Sequence, residues 1–256
     1  MTGQGVIVLG ITSAIARAMA DRLASQGRRL VVAGREMEEV ERIAADLRIR
    51  HNADVTPLRF DAVDFDSHAG FMADAAAALG GRFDGVVLCH GAMADQADAQ
   101  ADFALTKRMI DTNYASAVSV LNLAAERLLE GEQGGGPKRQ GRFLCVISSV
   151  AGDRGRPSNY IYGSTKAALD AYLEGLRARL AKAGIAVTTI KPGFVDTAMT
   201  WGLPGMFLVA EPQMVARDMD RAIKKGAAVV YTPWFWRFIM AVIRAIPRPV
   251  FNRMKL

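Results

Sequence analysis

Two side chains past the middle of the chain have the types and the spacing for acid–base chemistry. Tyr162 and Lys166 lie four residues apart in a stretch of helical period, so both side chains fall on one helix face. A tyrosine with its ordinary pKa of about 10 exchanges protons poorly near neutral pH. A neighbouring ammonium favours the phenolate and lowers that pKa. The spacing predicts that Tyr162 carries a proton with the help of Lys166; a pair that only keeps the helix soluble is the alternative.

A serine stands before this pair, where a predicted buried strand ends. Ser149 follows the apolar run 143–147, thirteen residues before Tyr162. Ligands in open parallel sheets bind outside the carboxyl ends of the strands. We therefore expect Ser149 in the same site as Tyr162. Tyr160 has no lysine four residues later and is not a candidate for the same role.

The turn after the first predicted strand could hold a phosphate group. Its candidate cofactor-binding residues are Gly10, Thr12, Ser13 and Ile15. Free backbone N–H groups at the start of a helix bind pyrophosphate, and a dinucleotide-binding turn uses them in this way. Two later positions that are often glycine in such turns are Ala14 and Ala16 here. A helix that is only capped by Thr12 or Ser13 is the alternative.

The two residues after the second predicted strand, Gly34 and Arg35, indicate which nucleotide would bind. An acidic residue at this place accepts hydrogen bonds from the ribose of NAD, but the chain has Arg35. Because guanidinium suits a 2′-phosphate, we predict NADP in preference to NAD; a solvated Arg35 at the start of the next helix is the alternative. Asp61, after the third predicted strand, is placed to reach an adenine amino group or to serve as an ordinary capping residue.

The hydrophobic pattern of the sequence predicts the fold that would position these residues. Short apolar runs alternate with stretches of helical period, as in a parallel sheet covered on both faces. The predicted strands are residues 6–9, 30–33, 55–60, 86–89, 143–147, 187–190 and 228–231. The predicted helices are residues 14–26, 38–50, 67–79, 103–129, 159–183 and 212–225. The fold class is therefore α/β, a single Rossmann-type doubly wound parallel seven-stranded sheet with helices on both faces. Residues 131–141, rich in glycine, are predicted to be a solvated insertion.

The composition limits the remaining possibilities. A chain of 256 residues, 51% of them hydrophobic, fits one globular domain without a stabilising metal or disulfide. Cys89 and Cys145 lie in apolar runs and are predicted to be reduced core thiols of a cytoplasmic protein. The three histidines lack the spacing of metal ligands, so no metal site is expected. The chain opens into a strand, so we also expect no signal peptide.

The excess positive charge is concentrated at the carboxyl end. The net charge is +6, and after Asp220 there are eight basic residues and no acidic one. A local basic patch is expected, rather than a nucleic-acid surface spread over the fold. We divide the chain into a Rossmann-fold domain, residues 1–233, and an apolar basic extension, residues 234–256.

This extension combines aromatic, aliphatic and arginine side chains. Residues 234–246 are fewer than the roughly 20 needed to span a bilayer. Arg237 and Arg244, seven residues apart, share one helical face, and apolar side chains cover the rest. The pattern predicts peripheral contact with anionic lipid at a membrane surface. A helix that covers the substrate or joins two subunits is the alternative.

Taken together, these motifs resemble the short-chain dehydrogenase/reductase family over nearly the whole chain. The matching residues are Gly10, Asp61, Gly91, Asn113, Ser149, Tyr162, Lys166, Pro192, Gly193, Val195 and Thr197. The resemblance implies an NAD(P)-dependent enzyme that interconverts a ketone and a secondary alcohol by hydride transfer. It also implies a homo-oligomer, since members often form dimers or tetramers.

The roles of the family's residues carry over to matching positions. Tyr162 would protonate the carbonyl oxygen during reduction, and Ser149 would hydrogen-bond to that oxygen. Lys166 would bind the nicotinamide ribose, and Asn113 would hold a water that links Lys166 to solvent. The turn at Pro192 and Gly193 leads to the groups that would fix the carboxamide, Thr197 and the backbone near Val195.

The chain departs from the family pattern at two places. The usual threonine before the first glycine is Leu9, and the usual Asn-Asn-Ala-Gly segment reads Leu-Cys-His-Gly at residues 88–91. Loss of the asparagines removes hydrogen bonds that tie the fourth strand to its neighbours. Ala14 and Ala16 in the first turn leave an alternative function open, a catalytically silent protein that keeps the fold and senses NADP(H).

The segment after Gly193 would form a lid over the substrate. Its apolar residues are Met199, Trp201, Leu203, Met206, Phe207, Leu208 and Val209. These residues favour a hydrophobic or long-chain substrate. The alternative is that they only cover the hydrophobic core. The Gly-x-Thr-Ser-x-Ile turn and the Tyr-x-Pro-Trp tail are similar to reductases of polyprenyl-phosphate keto-sugars, such as the decaprenylphosphoryl 2-keto-pentose reductases. That narrower likeness implies a lipid-linked carbonyl substrate at the cytoplasmic face of a membrane.

Overall fold

The computed structural model describes residues 4–130, 141–202 and 206–254. The predicted insertion at residues 131–141 lies outside the described residues except for Gly141, and Leu203 of the predicted lid lies outside them as well.

Seven parallel strands form one sheet, which confirms the predicted fold class. The strands are β1 Gly5–Leu9, β2 Arg29–Gly34, β3 Val55–Arg59, β4 Gly85–Leu88, β5 Phe143–Ile147, β6 Ala186–Pro192 and β7 Val229–Thr232. Their order is β3-β2-β1-β4-β5-β6-β7. The order reverses between β1 and β4, and ligands bind at such a reversal in open α/β sheets.

Helices cover both faces of this sheet. The α-helices are α1 Ala14–Ser25, α2 Met37–His51, α3 His68–Ala78, α4 Gln96–Ala101, α5 Phe103–Ile110, α6 Ser116–Glu130, α7 Tyr160–Leu180, α8 Pro212–Lys225, α9 Trp236–Ala245 and α10 Arg248–Phe251. α1, α2 and α8 pack on one face, whereas α3, α6 and α7 pack on the other. A third, small apolar cluster lies under α9. Within the described ranges, no helix has the length and hydropathy needed to cross a membrane.

The structure differs from the predicted elements in two places that matter for the site. The single helix predicted over residues 103–129 is interrupted by a π-helical turn, Asp111–Ala115. α4 was not predicted, because its short sequence is polar and has no apolar face. A π turn adds a residue to one helical turn and often marks a functional position.

Candidate active site

A cleft of about 800 Å³ opens at the carboxyl edge of the sheet. Ten predicted site residues line it: Gly10, Thr12, Ser13, Ile15, Arg35, Asp61, Gly91, Tyr162, Lys166 and Thr197. The other five, Asn113, Ser149, Pro192, Gly193 and Val195, are not in its lining. The lining also includes residues that carried no sequence motif, among them Arg17, Glu36, Phe60, Arg108 and Thr112. Only the fold identifies these, because they come from elements far apart in the chain.

Helix α7 places the tyrosine and the lysine side by side. Tyr162 and Lys166 are both buried at the amino-terminal part of this helix. The Lys166 ammonium lies 5.8 Å from the centroid of the Tyr162 ring. Its Nζ atom donates to the backbone carbonyl of Ile147, 3.1 Å away, at the end of β5. The lysine is therefore fixed between the helix and the carboxyl edge of the sheet.

Two glycines allow the segment after Ser149 to approach this helix closely. Ser149 precedes the 3₁₀ turn Val150–Gly152, and its hydroxyl accepts from the N–H of Ala151 at 3.1 Å. A Cβ atom at Gly163 would lie 2.7 Å from the carbonyl oxygen of Ala151. A Cβ atom at Gly152 would lie 2.9 Å from the backbone of α7. The absence of both side chains brings Ser149 next to Tyr162.

Burial controls the protonation of the two α7 side chains. It raises the pKa of Tyr162 to about 12, and a hydrogen bond with Ser149 opposes this rise. Burial also lowers the pKa of Lys166 to about 8, opposed by the nearby Asp170 carboxylate. Desolvation outweighs the influences that lower the pKa of Tyr162, and the role of Lys166 in lowering it stays a prediction. The phenol therefore keeps its proton at neutral pH and is a weaker acid than a free tyrosine.

Asn113 connects the end of β4 to α7. It lies in the π turn, and its amide nitrogen donates to the carbonyl of Ala92 at 2.8 Å and to the Thr165 hydroxyl at 3.1 Å. Its Oδ1 atom accepts from the N–H of Ala92 at 2.7 Å. Thr165 directly precedes Lys166, so Asn113 holds the loop beside the lysine.

The Cys-His pair at the end of β4 is neutral and structural. Burial raises the pKa of Cys89 to about 12 and lowers that of His90 to about 3. The Ser116 hydroxyl donates to the carbonyl of Thr112, so its oxygen accepts from Nε2 of His90 at 2.7 Å. This contact ties β4 to the helix that follows the π turn. His90 thus makes a connection of the kind that the missing asparagines would supply.

The first turn fits the phosphates of a dinucleotide. Gly10 has a φ of +76°, and a Cβ atom there would lie 2.6 Å from the backbone nitrogen of His90. Ser13 precedes α1, but its side chain caps none of the helix N–H groups. Ala16 is fully buried against the core. The amino terminus of α1 is therefore open to an anion from the cleft.

Arg35 and Glu36 lie side by side where the ribose that carries the 2′-phosphate of NADP would be expected. The Arg35 side chain is 68% exposed, and its Nε atom lies 3.0 Å from a carboxylate oxygen of Glu36. Asp61 accepts from the N–H of Val63 at 3.2 Å and lines the same cleft. The exposed Arg35 side chain can turn toward a phosphate group, and the Glu36 carboxylate would compete with that phosphate for the guanidinium.

Helix α9 covers the turn after β6. A Cβ atom at Gly193 would lie 2.0 Å from Nε1 of Trp236, which is buried in α9. Trp236 also contacts the ring of Phe194, with ring centroids 5.9 Å apart. Met240 is buried with Trp236 against Val150, the residue after Ser149. The extension therefore packs on two loops of the site, a contact that the sequence pattern alone did not reveal.

The histidines and cysteines do not form a metal centre in the part of the chain that the structure describes. No group of three or more His, Cys, Asp or Glu side chains there could hold a metal ion. Cys89 and Cys145 are buried and unpaired, as predicted.

Comparisons with known proteins agree with this geometry. Residues 4–205 match the family model described as short chain dehydrogenase. An uncharacterized oxidoreductase of Mycobacterium tuberculosis, Rv2073c, is 35% identical over 249 residues, which are 97% of this chain and 96% of the relative. An uncharacterized oxidoreductase of Streptomyces coelicolor is 36% identical over 254 residues, covering 98% of this chain and 96% of the relative.

Solved structures share the fold at lower identity. A variant of actinorhodin polyketide ketoreductase with NADPH superposes with a TM-score of 0.78 and 20% identity, covering 90% of this chain and 95% of the ketoreductase. An alcohol dehydrogenase from the archaeon Thermococcus sibiricus, complexed with 5-hydroxy-NADP, gives a TM-score of 0.75 and 21% identity over 89% of this chain and 95% of its own.

Proposed function

Because the chain belongs to the short-chain dehydrogenase family, we propose that it is an NADP(H)-dependent oxidoreductase that interconverts a ketone and a secondary alcohol on an amphiphilic substrate. The observation that carries this proposal is the convergence of Ser149, Tyr162 and Lys166 beside a turn that fits a dinucleotide phosphate. The ketoreductase with NADPH among the neighbours in fold supports the same chemistry.

In the proposed reduction, residues of the chain supply the proton and position the carbonyl oxygen that accepts it. Tyr162, which keeps its proton at neutral pH, donates it to the carbonyl oxygen as negative charge develops there. Ser149 hydrogen-bonds to the same oxygen and holds it near the phenol. Lys166 would bind the nicotinamide ribose, and its charge would favour the phenolate that Tyr162 becomes. The cofactor, when bound, supplies or accepts the hydride.

The preference for NADP is proposed from Arg35, and its neighbour Glu36 provides a matched test. Arg35→Gln should weaken NADPH binding by about 10- to 100-fold, since a charge-assisted hydrogen bond contributes about 1.5–3 kcal/mol. NADH, which lacks the 2′-phosphate, should bind almost equally well to the unaltered protein and to the Arg35→Gln variant. Fluorescence titration of the nucleotides measures both dissociation constants.

Glu36→Gln is the control for this prediction. It removes the carboxylate that lies 3.0 Å from Arg35, so NADPH should bind more tightly than to the unaltered protein. Tighter binding of NADH than NADPH by the unaltered protein would contradict the assignment.

We propose that the substrate is amphiphilic because apolar lid residues adjoin the cleft. Met199 lines the cleft, and Trp201 and Phe207 lie beyond it with exposed rings. A lipid-linked carbonyl compound, such as the polyprenyl-phosphate keto-sugars, combines a polar reacting end with a long apolar chain. Burial of an alkyl chain in an apolar pocket contributes about 0.8 kcal/mol of binding free energy per methylene.

A carbonyl series monitored by NADPH absorbance tests the proposed reaction. For 2-ketones of increasing alkyl length, kcat/KM should rise by about threefold to fourfold per methylene until the lid is filled. A lipid-linked keto-sugar should exceed the free sugar. NADPH binding with no turnover of any compound would favour a silent sensor protein instead.

The remaining proposals concern the surroundings of the enzyme. The two buried, unpaired thiols support a cytoplasmic location, where cysteines stay reduced. The concentration of positive charge after Asp220 argues against a nucleic-acid partner spread over the fold. A homo-oligomer remains a proposal from the family alone.

A further inference from the structure

A group of large apolar side chains is exposed on the lid and on the carboxyl extension. We call it the apolar rim. Its members are Trp201, Phe207, Leu208, Val209, Trp234, Phe238, Val242, Val250 and Met254. Trp201 is 87% exposed, Trp234 71%, Val242 66% and Phe238 60%. Single exposed apolar residues are ordinary, but a concentration of this size marks an interaction surface.

Aromatic contacts connect the two parts of the apolar rim. The ring of Phe207, from the lid, lies 5.4 Å from that of Trp236 in α9. At the start of α9 the rings of Trp234 and Phe238 lie 5.9 Å apart. Through Phe207 the lid therefore packs on α9, and Met199 of the same lid lines the cleft.

The outward position of these side chains follows from the way α9 is held. Its inner face buries Trp236 and Met240 in the third apolar cluster. At its carboxyl end, the Arg154 guanidinium donates to the carbonyl of Ile243 and, at 2.8 Å, to that of Ile246. The same guanidinium lies 3.7 Å from the ring centroid of Phe251. With its inner face committed, α9 leaves Phe238 and Val242, one turn apart, facing solvent.

The exposed charges on α9 and in the segment that follows it are all positive. Arg237 and Arg244 are exposed on α9, and Arg248 and Arg253 follow it. Across the described ranges, neither Arg237 nor Arg244 forms an ion pair. The sequence has no acidic residue after Asp220, and the exposed acids of the neighbouring lid are Asp196 and Glu211. Apolar side chains flanked by unpaired arginines match the boundary between acyl chains and anionic headgroups.

We propose that the apolar rim binds the surface of an anionic lipid bilayer, with the arginines toward the phosphates and the cleft opening beside the membrane. A second copy of the chain fits the same surface poorly, because a two-fold contact would bring the arginines of both copies together. Lipid binding of this kind needs neither cofactor nor turnover, so it can fail or hold independently of the proposed reaction.

Flotation with vesicles tests the proposal on the full chain. The protein should float with vesicles of phosphatidylcholine and phosphatidylglycerol, and less with phosphatidylcholine alone or at raised salt. The double variant Phe238→Glu/Val242→Glu should lower the bound fraction by about tenfold or more, because it places carboxylates in the contact. Arg237→Gln/Arg244→Gln should reduce binding to the anionic vesicles and abolish the effect of salt.

A matched control uses an exposed apolar residue at the opposite edge of the sheet. Ile49, 84% exposed on α2, is replaced by glutamate, and this variant should float like the unaltered protein. The proposal is overturned if the unaltered protein does not float, or if the Phe238/Val242 variant floats equally well. It is also overturned if sedimentation without vesicles shows that the unaltered protein is a dimer and this variant a monomer.

Discussion

Replacement of Tyr162 by phenylalanine should lower kcat for ketone reduction by about 10³-fold, the contribution expected of a positioned general acid. Only the hydroxyl group is removed, so packing of the ring among its buried neighbours is kept. NADPH affinity should change by no more than about tenfold, because a single neutral hydrogen bond contributes only about 0.5–1.5 kcal/mol to binding. Stopped-flow absorbance and nucleotide titration measure the two quantities separately.

Tyr160→Phe is the matched control for this replacement. Tyr160 begins the same helix, is exposed and has no lysine four residues later. Its variant should keep kcat within about twofold of the original value. Undiminished turnover in Tyr162→Phe would remove the basis of the proposed mechanism, whatever the binding data show.

Replacement of Gly163 by alanine should impair both stability and turnover. The new Cβ atom would lie 2.7 Å from the carbonyl oxygen of Ala151, so the turn that carries Ser149 must move away from α7. Overpacking of this kind costs about 1–3 kcal/mol of unfolding free energy. Because a displacement of about 1 Å can cost about 10²-fold in rate, kcat should fall by one to two orders of magnitude.

Gly175→Ala separates this effect from a general response of the helix. Gly175 lies on the same helix, and its added Cβ atom would meet nothing within 4 Å. Alanine is favoured over glycine in a helix by about 0.8–1 kcal/mol, so this variant should be more stable and fully active. Chemical denaturation and steady-state assays measure the outcome; equal behaviour of the two variants would show that close packing at Gly163 does not position Ser149.

The location of α9 links the carboxyl extension to the reacting groups. Trp236 occupies the space that a side chain at Gly193 would need, and Met240 packs near Val150. The helix thus supports the loops after β5 and β6 with one face and presents the apolar rim with the other. The alternatives of a covering helix and a membrane contact are therefore compatible, because they use different faces.

The order of the elements could be predicted from the sequence because hydrophobic period reflects burial directly. Strands buried on both faces read as short apolar runs, and the seven predicted strands agree with β1 to β7 to within a few residues. The Tyr162 and Lys166 pair was visible because helical spacing alone sets two side chains on one face. The break at Asp111–Ala115 was not visible, since a π turn leaves the apolar pattern of its flanking helices almost unchanged.

The sequence by itself therefore determined the α/β class, the family motifs and the positive charge of the extension, because these depend on residue type and local spacing. Only the tertiary structure decided that burial holds the pKa of Tyr162 at about 12, since desolvation depends on every element packed around the phenol. It also decided which face of α9 is covered. Its amphipathic pattern fits solvent, lipid or protein, and the contacts of Trp236 and Arg154 fix the helix in one orientation.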